Sequence, residues 1–215
     1  MLIHTRGTVA VTSKDFWDKI AAKYDRKTVK GPNYAARIER ASRWIGSQAI
    51  VLDAGCAGGQ ITIDLASHVR RIVGIDLSPK LIALAERRRE ASGVENARFV
   101  STTADDPQFA LGSFDAVTAY SLLHLVDNQR ETLDRFAKLL RPGGTLVLEI
   151  PCKEDIGPHF RLLIKILTML GKAPVVTLYT QAQNEEMLRD AGFEIREIKV
   201  YNPKSMNRSI YAIKA

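Results

Sequence analysis

The chain has 215 residues and a net charge of +7, with 46% hydrophobic and 26% charged residues. That length buries a sizeable core in one domain, and the balance excludes a disordered or fibrous chain. The positive charge permits an anionic partner (nucleic acid, membrane surface or acidic substrate) without requiring one, and only two cysteines, Cys56 and Cys152, leave no disulfide framework.

The opening "MLIHTRGTVAVT" lacks the apolar core of a secretory signal, so a reducing, cytoplasmic setting is expected and residues 1–13 are expected to be flexible. Residues 14–45 read as one or two helices forming a cap before the core. From Ile50, strand-like runs alternate with helical patterns: "IVLDAG", then the helical "GQITIDLASHV", then "RIVGIDL". "SPKLIALAERRREAS" predicts a helix with Ser78 as N-cap, Pro79 at its first position and Gly93 past its end. "ARFVST" and "FDAVTAY" are the third and fourth strands. Asn128 and Glu131 resemble a capping box for "QRETLDRFAKLL", which "RPGG" ends before a fifth strand, "TLVLEI".

Residues 152–179 read as a lid-like insertion. Thr180 and Gln183 then cap "AQNEEMLRDA", which Gly192 stops, and "EIREIKVY" and "RSIYAIKA" are the last strands. Continuous Val/Ile/Leu runs suit a mostly parallel sheet covered on both faces, hence a doubly wound α/β sheet of seven strands in a single domain, 1–215. Its core spans 46–151, and 180–215 supply a carboxyl-terminal helix and strand pair. Such a sheet binds its ligand beyond the carboxyl ends of the strands. The most lipid-like run, "FRLLIKILTML", is 11 residues long and carries Arg161 and Lys165. A spanning helix needs about 20 apolar residues, so the run reads as a helix packed on the core or an interfacial helix admitting a lipophilic substrate.

"VLDAGCAGGQ", Val51 to Gln60, ends a strand in an acid and a glycine-rich turn. No Gly-Lys-Ser/Thr follows, and the first, third and sixth places from Gly55 hold Gly55, Ala57 and Gln60, so both familiar nucleotide loops fail. The remaining Asp-x-Gly-x-x-x-Gly resembles the first motif of the class I S-adenosylmethionine-dependent methyltransferases. Asp76 ends the second strand 21 residues after Gly55, and "GSFDAVTAYSLLHLVDN" and "LLRPGGTLVLEIP" are similar to that family's fourth- and fifth-strand motifs. The likeness is strongest over 50–151 and nearest to small-molecule enzymes of ubiquinone and menaquinone biosynthesis; "FWDKIAAKYD" is similar to their amino-terminal segment.

The resemblance implies a Rossmann-like sheet with an antiparallel last strand, S-adenosyl-L-methionine as methyl donor and S-adenosyl-L-homocysteine as product. It implies donor contacts from Tyr24, from Asp53, Ala54, Gly55, Cys56, Ala57 and Gly59 on the loop, and from Asp76, Leu77, Ala104, Asp105 and Tyr120. Asp76 is where the family places an acid for both ribose hydroxyls, and one carboxylate has enough lone pairs for a vicinal diol. Two departures stand out: Ala57 replaces a glycine, tolerable if the backbone there keeps a negative φ, with Gly58 supplying freedom; and Thr103 holds the place of an adenine-reading aspartate, leaving Asp105 or main-chain groups around Ala104.

Methyl transfer from a sulfonium is an in-line displacement that demands positioning, with a base only where the nucleophile must lose a proton. His124, past the fourth strand, is the candidate base, and His159 in the insertion a weaker one; both, with Trp17 and Tyr24, are candidate substrate contacts. The histidines are not at metal-ligand spacing, so no metal is expected. Cys152 after Pro151 resembles the Pro-Cys pair of cytosine-5 methyltransferases but follows the fifth strand instead of the fourth. The expected acceptor is a small molecule, possible transient membrane-surface contact included, with no stable nucleic acid and a monomer or homodimer. The rivals are an RNA methyltransferase, a non-catalytic S-adenosylmethionine-binding module, and a nicotinamide oxidoreductase weakened by the failed fingerprint.

Overall fold

The computed structural model describes residues 13–25, 33–202 and 206–215, so the stretch expected to be flexible lies outside them except for Ser13. Two helices, α1 (Ser13–Asp25) and α2 (Tyr34–Ile45), precede the sheet. In chain order follow β1 (Ile50–Ala54), α3 (Gln60–Ala66), β2 (Arg71–Asp76), α4 (Pro79–Ser92), β3 (Ala97–Ser101), β4 (Phe114–Tyr120), α5 (Gln129–Leu139) and β5 (Leu140–Pro151). The chain ends with α6 (Pro158–Met169), α7 (Gln181–Asp190), β6 (Phe193–Lys199) and β7 (Asn207–Lys214).

The strand order is β3-β2-β1-β4-β5-β7-β6. Strands β1 to β5 pair in parallel, whereas β7 runs antiparallel to both β5 and β6. Chain order therefore reverses between β1 and β4, and the loops leaving these strands open a crevice at the carboxyl edge.

Alternation along each strand divides the core into two layers. Leu52, Val73, Val117 and Leu146 join Leu133, Phe136 and Leu139 of α5 and Leu188 of α7 on one face. Their neighbours Val51, Ile72, Ala116 and Val147 face Tyr34, Ile38, Ala41 and Ile45 of α2, and Leu65 and Ala66 of α3. The helical spacing of those four α2 residues makes one apolar stripe, so α2 is pressed on the sheet with its amino-terminal turn at the crevice.

Local signals place the helix ends. The Ser78 hydroxyl caps α4 by accepting from the Leu81 amide at 3.2 Å, and Gly93 at φ +67° closes that helix. Thr180 and Gln183 form the reciprocal capping box of α7, and the Asn128 side chain accepts from the Glu131 amide at α5. The fifth strand differs from expectation: it begins at Leu140, opposite Phe114, and its register shifts before Ala116 meets Thr145. "RPGG" is thus an irregularity inside the ladder: between the pairs Phe114–Leu140 and Ala116–Thr145, residues 141–144 stand opposite Asp115 alone.

The insertion also differs from a packed lid. Helix α6 has no buried residue, and Phe160, Leu162, Leu163, Ile166 and Met169 are all exposed.

Candidate active site

The carboxyl ends of β1, β2 and β4 open into a cavity of about 830 Å³, within the range typical of ligand sites. The turn after β1 is held from below by β2. The amides of Gly55 and Cys56 both donate to the Ile75 carbonyl, at 2.8 and 3.0 Å, and the Ala57 amide donates to Asp76 Oδ2 at 3.1 Å. The other Asp76 oxygen accepts from the Ser78 amide at 2.9 Å. Burial raises the Asp76 carboxyl above its ordinary range, against these two amides, which favour the anion.

This turn requires left-handed backbone at Gly55 (φ +70°), Ala57 (φ +47°) and Gly59 (φ +74°). The condition under which Ala57 would be unstrained, a negative φ, is therefore not met, and Gly58 takes none of the left-handed geometry. An alanine in this region costs about 1–2 kcal/mol, held by the amide bond to Asp76 and the surrounding turn. Gly58 lines the cavity, whereas Gly59 does not: a Cβ at Gly59 would meet Ala85 at 2.7 Å and Phe99 at 2.8 Å, so its smallness serves packing of α3 on α4 and β3.

Asp53 lines the cavity from the end of β1 but is almost wholly buried. Its Oδ1 accepts from Thr118 at 2.7 Å and its Oδ2 from Thr62, and burial pushes its carboxyl up to about 6 despite both bonds. At the other end, Leu77, Thr103, Ala104 and Asp105 line the wall, with the Arg135 Nε donating to the Ala104 carbonyl at 2.7 Å. The Asp105 side chain is 80% exposed, so the main chain around Ala104 is the better-fixed reading surface for a base.

Trp17 and Tyr24 of α1 and Tyr120 of β4 also line the cavity, as do Ala54 and Cys56. His124 and His159 are not among its lining residues. His124 lies on a short 3-10 turn with its Nδ1 buried and without a partner among the described residues, and burial lowers its pKa to about 4. His159 is exposed on α6, and no residue of 152–179 lines the cavity. Cys152 is buried, with its thiol pushed up to about 11 by burial, which leaves little thiolate near neutral pH. Among the described residues no group of three or more His, Cys, Asp or Glu could hold a metal ion.

Motif reading did not find a polar cluster at the far end of the cavity. Arg37 of α2 pairs with Glu149 of β5 at 2.6 Å and stacks over the Tyr120 ring, 5.6 Å from its centroid. Glu149 also accepts from Asn207 of β7 at 3.1 Å. The Arg37 Nε and the Tyr120 hydroxyl are buried without partners among the described residues. Both can donate, so a ligand oxygen placed here would relieve an unpaired-group penalty of about 1–3 kcal/mol each. The only sequence hint was Tyr120 at a strand end; the others come together through the fold.

Comparison with known proteins now bears on this geometry. Residues 51–144 match a family described as a methyltransferase domain. A ubiquinone biosynthesis O-methyltransferase of Xanthomonas axonopodis pv. citri is 36% identical over 175 residues, 79% of this chain and 71% of the relative. The chain belongs to the class I S-adenosylmethionine-dependent methyltransferases. Other Xanthomonas proteins of the same name match this methyltransferase over 100 residues, only 42% of their length. Among solved structures, the [4+2]-cyclase SpnF superposes with a TM-score of 0.73 at 16% identity, covering 95% of this chain and 96% of that one. A methyltransferase solved with its Haloferax volcanii Trm112 activator gives 0.72 at 18%, covering 94% and 97%. A cyclase among these neighbours shows that the fold itself does not choose the reaction.

The donor fits this site by its chemistry: a two-oxygen acid at the end of β2 and a main-chain turn at the end of β1. Replacing Ala57 by Gly removes left-handed strain of about 1–2 kcal/mol and adds unfolded-chain entropy of about 0.4–1 kcal/mol. The methyltransferase carrying Ala57→Gly is therefore expected to melt at or slightly above the wild-type temperature; a loss above 1 kcal/mol would show that Ala57 is not strained.

Asp53 and His124 act oppositely on stability. Asp53 has its pKa raised to about 6, so its contribution to stability falls as pH rises from about 4 to 6. His124 has its pKa lowered to about 4, so its contribution is lost as pH falls from about 6.5 to 4. In melting curves at pH 4.5 and 7.5, Asp53→Asn should gain on wild type at the higher pH and His124→Gln at the lower. Matching shifts for the two variants would contradict both assignments.

Proposed function

We propose that this methyltransferase moves the methyl group of S-adenosylmethionine onto a small, lipophilic, quinone-like acceptor by in-line displacement. The observation that carries this reading is one continuous cavity joining the Asp76 and Ala57 turn to the Arg37–Tyr120–Glu149 cluster. When bound, the donor supplies an activated methyl group on a sulfonium. The chain's own residues then provide position: Asp76 accepts from the ribose hydroxyls, the main chain from Gly55 to Ala57 lies against the amino-acid portion, and Ala104 and its neighbours read the base. Trp17 and Tyr24 close the cavity from α1, and their rings exclude water and lie favourably near a cationic sulfur.

On this reading His124 supports the fold more than it moves a proton. Its ring is off the cavity wall, and a base with a pKa of about 4 is weakly matched to neutral pH. Residues 14–45 act as a cap, 46–151 as the donor-binding core and 180–215 as the closing helix and strand pair. The acceptor is drawn from an anionic bilayer surface through α6. That helix turns Phe160, Leu162, Leu163, Ile166 and Met169 to solvent beside Arg161 and Lys165, and residues 156–178 contain no Asp or Glu. Among the described residues no helix is long and apolar enough to cross a membrane.

Calorimetry with S-adenosylmethionine, S-adenosylhomocysteine and NAD, followed by labelled-methyl transfer into quinol, lipid and RNA pools, tests the whole reading. Tighter binding of NAD, or transfer to RNA alone, would overturn it. Asp76→Ala removes two hydrogen bonds to a charged acceptor, worth about 1.5–3 kcal/mol each, so binding should fall at least tenfold. Unchanged affinity would remove Asp76 from ribose reading. For α6, co-sedimentation should show binding to vesicles containing anionic lipid, loss in high salt, and loss in the Leu162→Glu/Ile166→Glu double variant. Equal binding by that variant would exclude α6 as the docking face.

A further inference from the structure

Arg88 belongs to no motif, yet it joins the two halves of the donor wall. It projects from α4 into the cavity lining, and its two arms reach main-chain oxygens on different elements. Its Nη1 donates to the Gly58 carbonyl at 2.9 Å, and its Nη2 donates to the Tyr24 carbonyl at 2.7 Å. Gly58 follows strained Ala57 in the donor turn, and Tyr24 is in the last turn of α1. Among the described residues, Arg88 makes no contact with a carboxylate; both of its bonds go to carbonyls. A helix carries partial negative charge at its carboxyl end, so a guanidinium there is favourably placed. The planar fork allows both carbonyls to be held at once, which a lysine ammonium on one flexible stem does less well.

A second tie runs from the same helix pair. The Ser78 hydroxyl, next to the Asp76 carboxylate, donates to Asp18 Oδ1 of α1. Helix α1 is thus fastened to both ends of α4, with Trp17 and Tyr24 turned to the cavity between them. A Cβ on Gly58 would come within 2.7 Å of Arg88 Nη1, so glycine at that position leaves room for the guanidinium.

We propose that Arg88 is a positioning residue: a latch that holds α1 closed over the bound donor and fixes the Ala57–Gly58 turn against Asp76. The latch rests on the donor reading above for its role in binding, but its structural half, Arg88-dependent protection of α1, does not. Arg88 touches no reacting atom, and its effect runs through Trp17 and Tyr24 on one side and Gly58 on the other. Loss of the latch frees α1, so the donor and product leave faster.

Trp17 reports the closed helix. The chain has two tryptophans, and in a Trp44→Phe background the emission comes from Trp17 alone. In that background, Arg88→Met should expose Trp17 to acrylamide in the ligand-free protein and weaken S-adenosylhomocysteine binding at least tenfold, mainly through faster dissociation. Arg88→Lys, reaching one carbonyl at a time, should fall between the two on both readouts. Binding by Arg88→Met within twofold of its parent overturns the proposal. So does weakened binding with Trp17 equally protected, since Arg88 would then act on the turn alone. If the parent binds no S-adenosylhomocysteine, the donor reading fails, while the ligand-free quenching comparison still decides the latch: Trp17 equally protected with and without Arg88 refutes it, and exposure on its removal supports it.

Discussion

Three consecutive amides after β1 are bonded to the last two residues of β2: Gly55 and Cys56 to the Ile75 carbonyl, and Ala57 to the Asp76 carboxylate. Satisfying all three within so short a turn forces the chain through left-handed backbone at Gly55, Ala57 and Gly59. Almost everything else at the site follows. The turn places main-chain groups at the cavity wall, leads directly into α3 and fixes the Asp76 carboxylate through one of its oxygens. Ala57 tolerates its backbone because the Asp76 bond would be lost in any relaxed alternative. A buried carboxylate without its amides would cost more than the strain of one alanine.

Electrostatics at this edge are arranged around burial. Asp53 and Asp76 end adjacent strands, and withdrawal from water raises both carboxyls. Their partners differ. Asp53 is bound by two threonine hydroxyls that consume both oxygens and hold it as a buried strut between β1, α3 and β4. Asp76 is bound by main-chain amides that leave lone pairs for a diol. One acid is thus tied by side chains of the fold, whereas the other is held by main-chain amides at the edge of the cavity that both line.

The succession of strands and helices and most helix ends were legible because they rest on local signals: apolar runs, Ser78 and Pro79, the Thr180–Gln183 box, and Gly93; the order of strands across the sheet is set by non-local pairing. The donor turn was legible as a turn, but not its conformation, since spacing shows where glycines are and not which φ each adopts. Hence the left-handed φ of Ala57 could not be read from the spacing, nor that the missing Cβ of Gly59 makes room for Ala85 and Phe99. His124 was placed by its position beyond a strand, but orientation on a 3-10 turn is decided by packing and turned its Nδ1 into the protein. Arg37, Glu149 and Asn207 were invisible for a different reason: they reach one another from α2, β5 and β7. No one-dimensional spacing encodes such a cluster. Arg88 was hidden among the charged residues of α4, because its partners are two main-chain carbonyls on other elements, which no residue type in the sequence marks.

The division of the cavity also explains why the donor is easier to infer than the acceptor. The family match ends at residue 144, and within it lie the turn, Asp76, the base-reading segment and Tyr120. Trp17, Tyr24, Arg37, Glu149 and Asn207 all line the cavity from outside that span. Within the matched span the wall includes the main-chain turn from Gly55 to Ala57, whose geometry survives many substitutions as long as the turn can form. Outside it the wall is made by side chains on α1, α2, β5 and β7, where one replacement changes charge, shape and hydrogen-bonding capacity together. Relatives that share the first part can therefore bind the same donor while methylating different molecules, and resemblance within 51–144 constrains the second part very little. Under the proposed reaction, acceptor choice is set where Arg37 and Tyr120 carry donors without partners among the described residues, since a buried polar group discriminates far more strongly than an apolar wall between ligands that do and do not satisfy it.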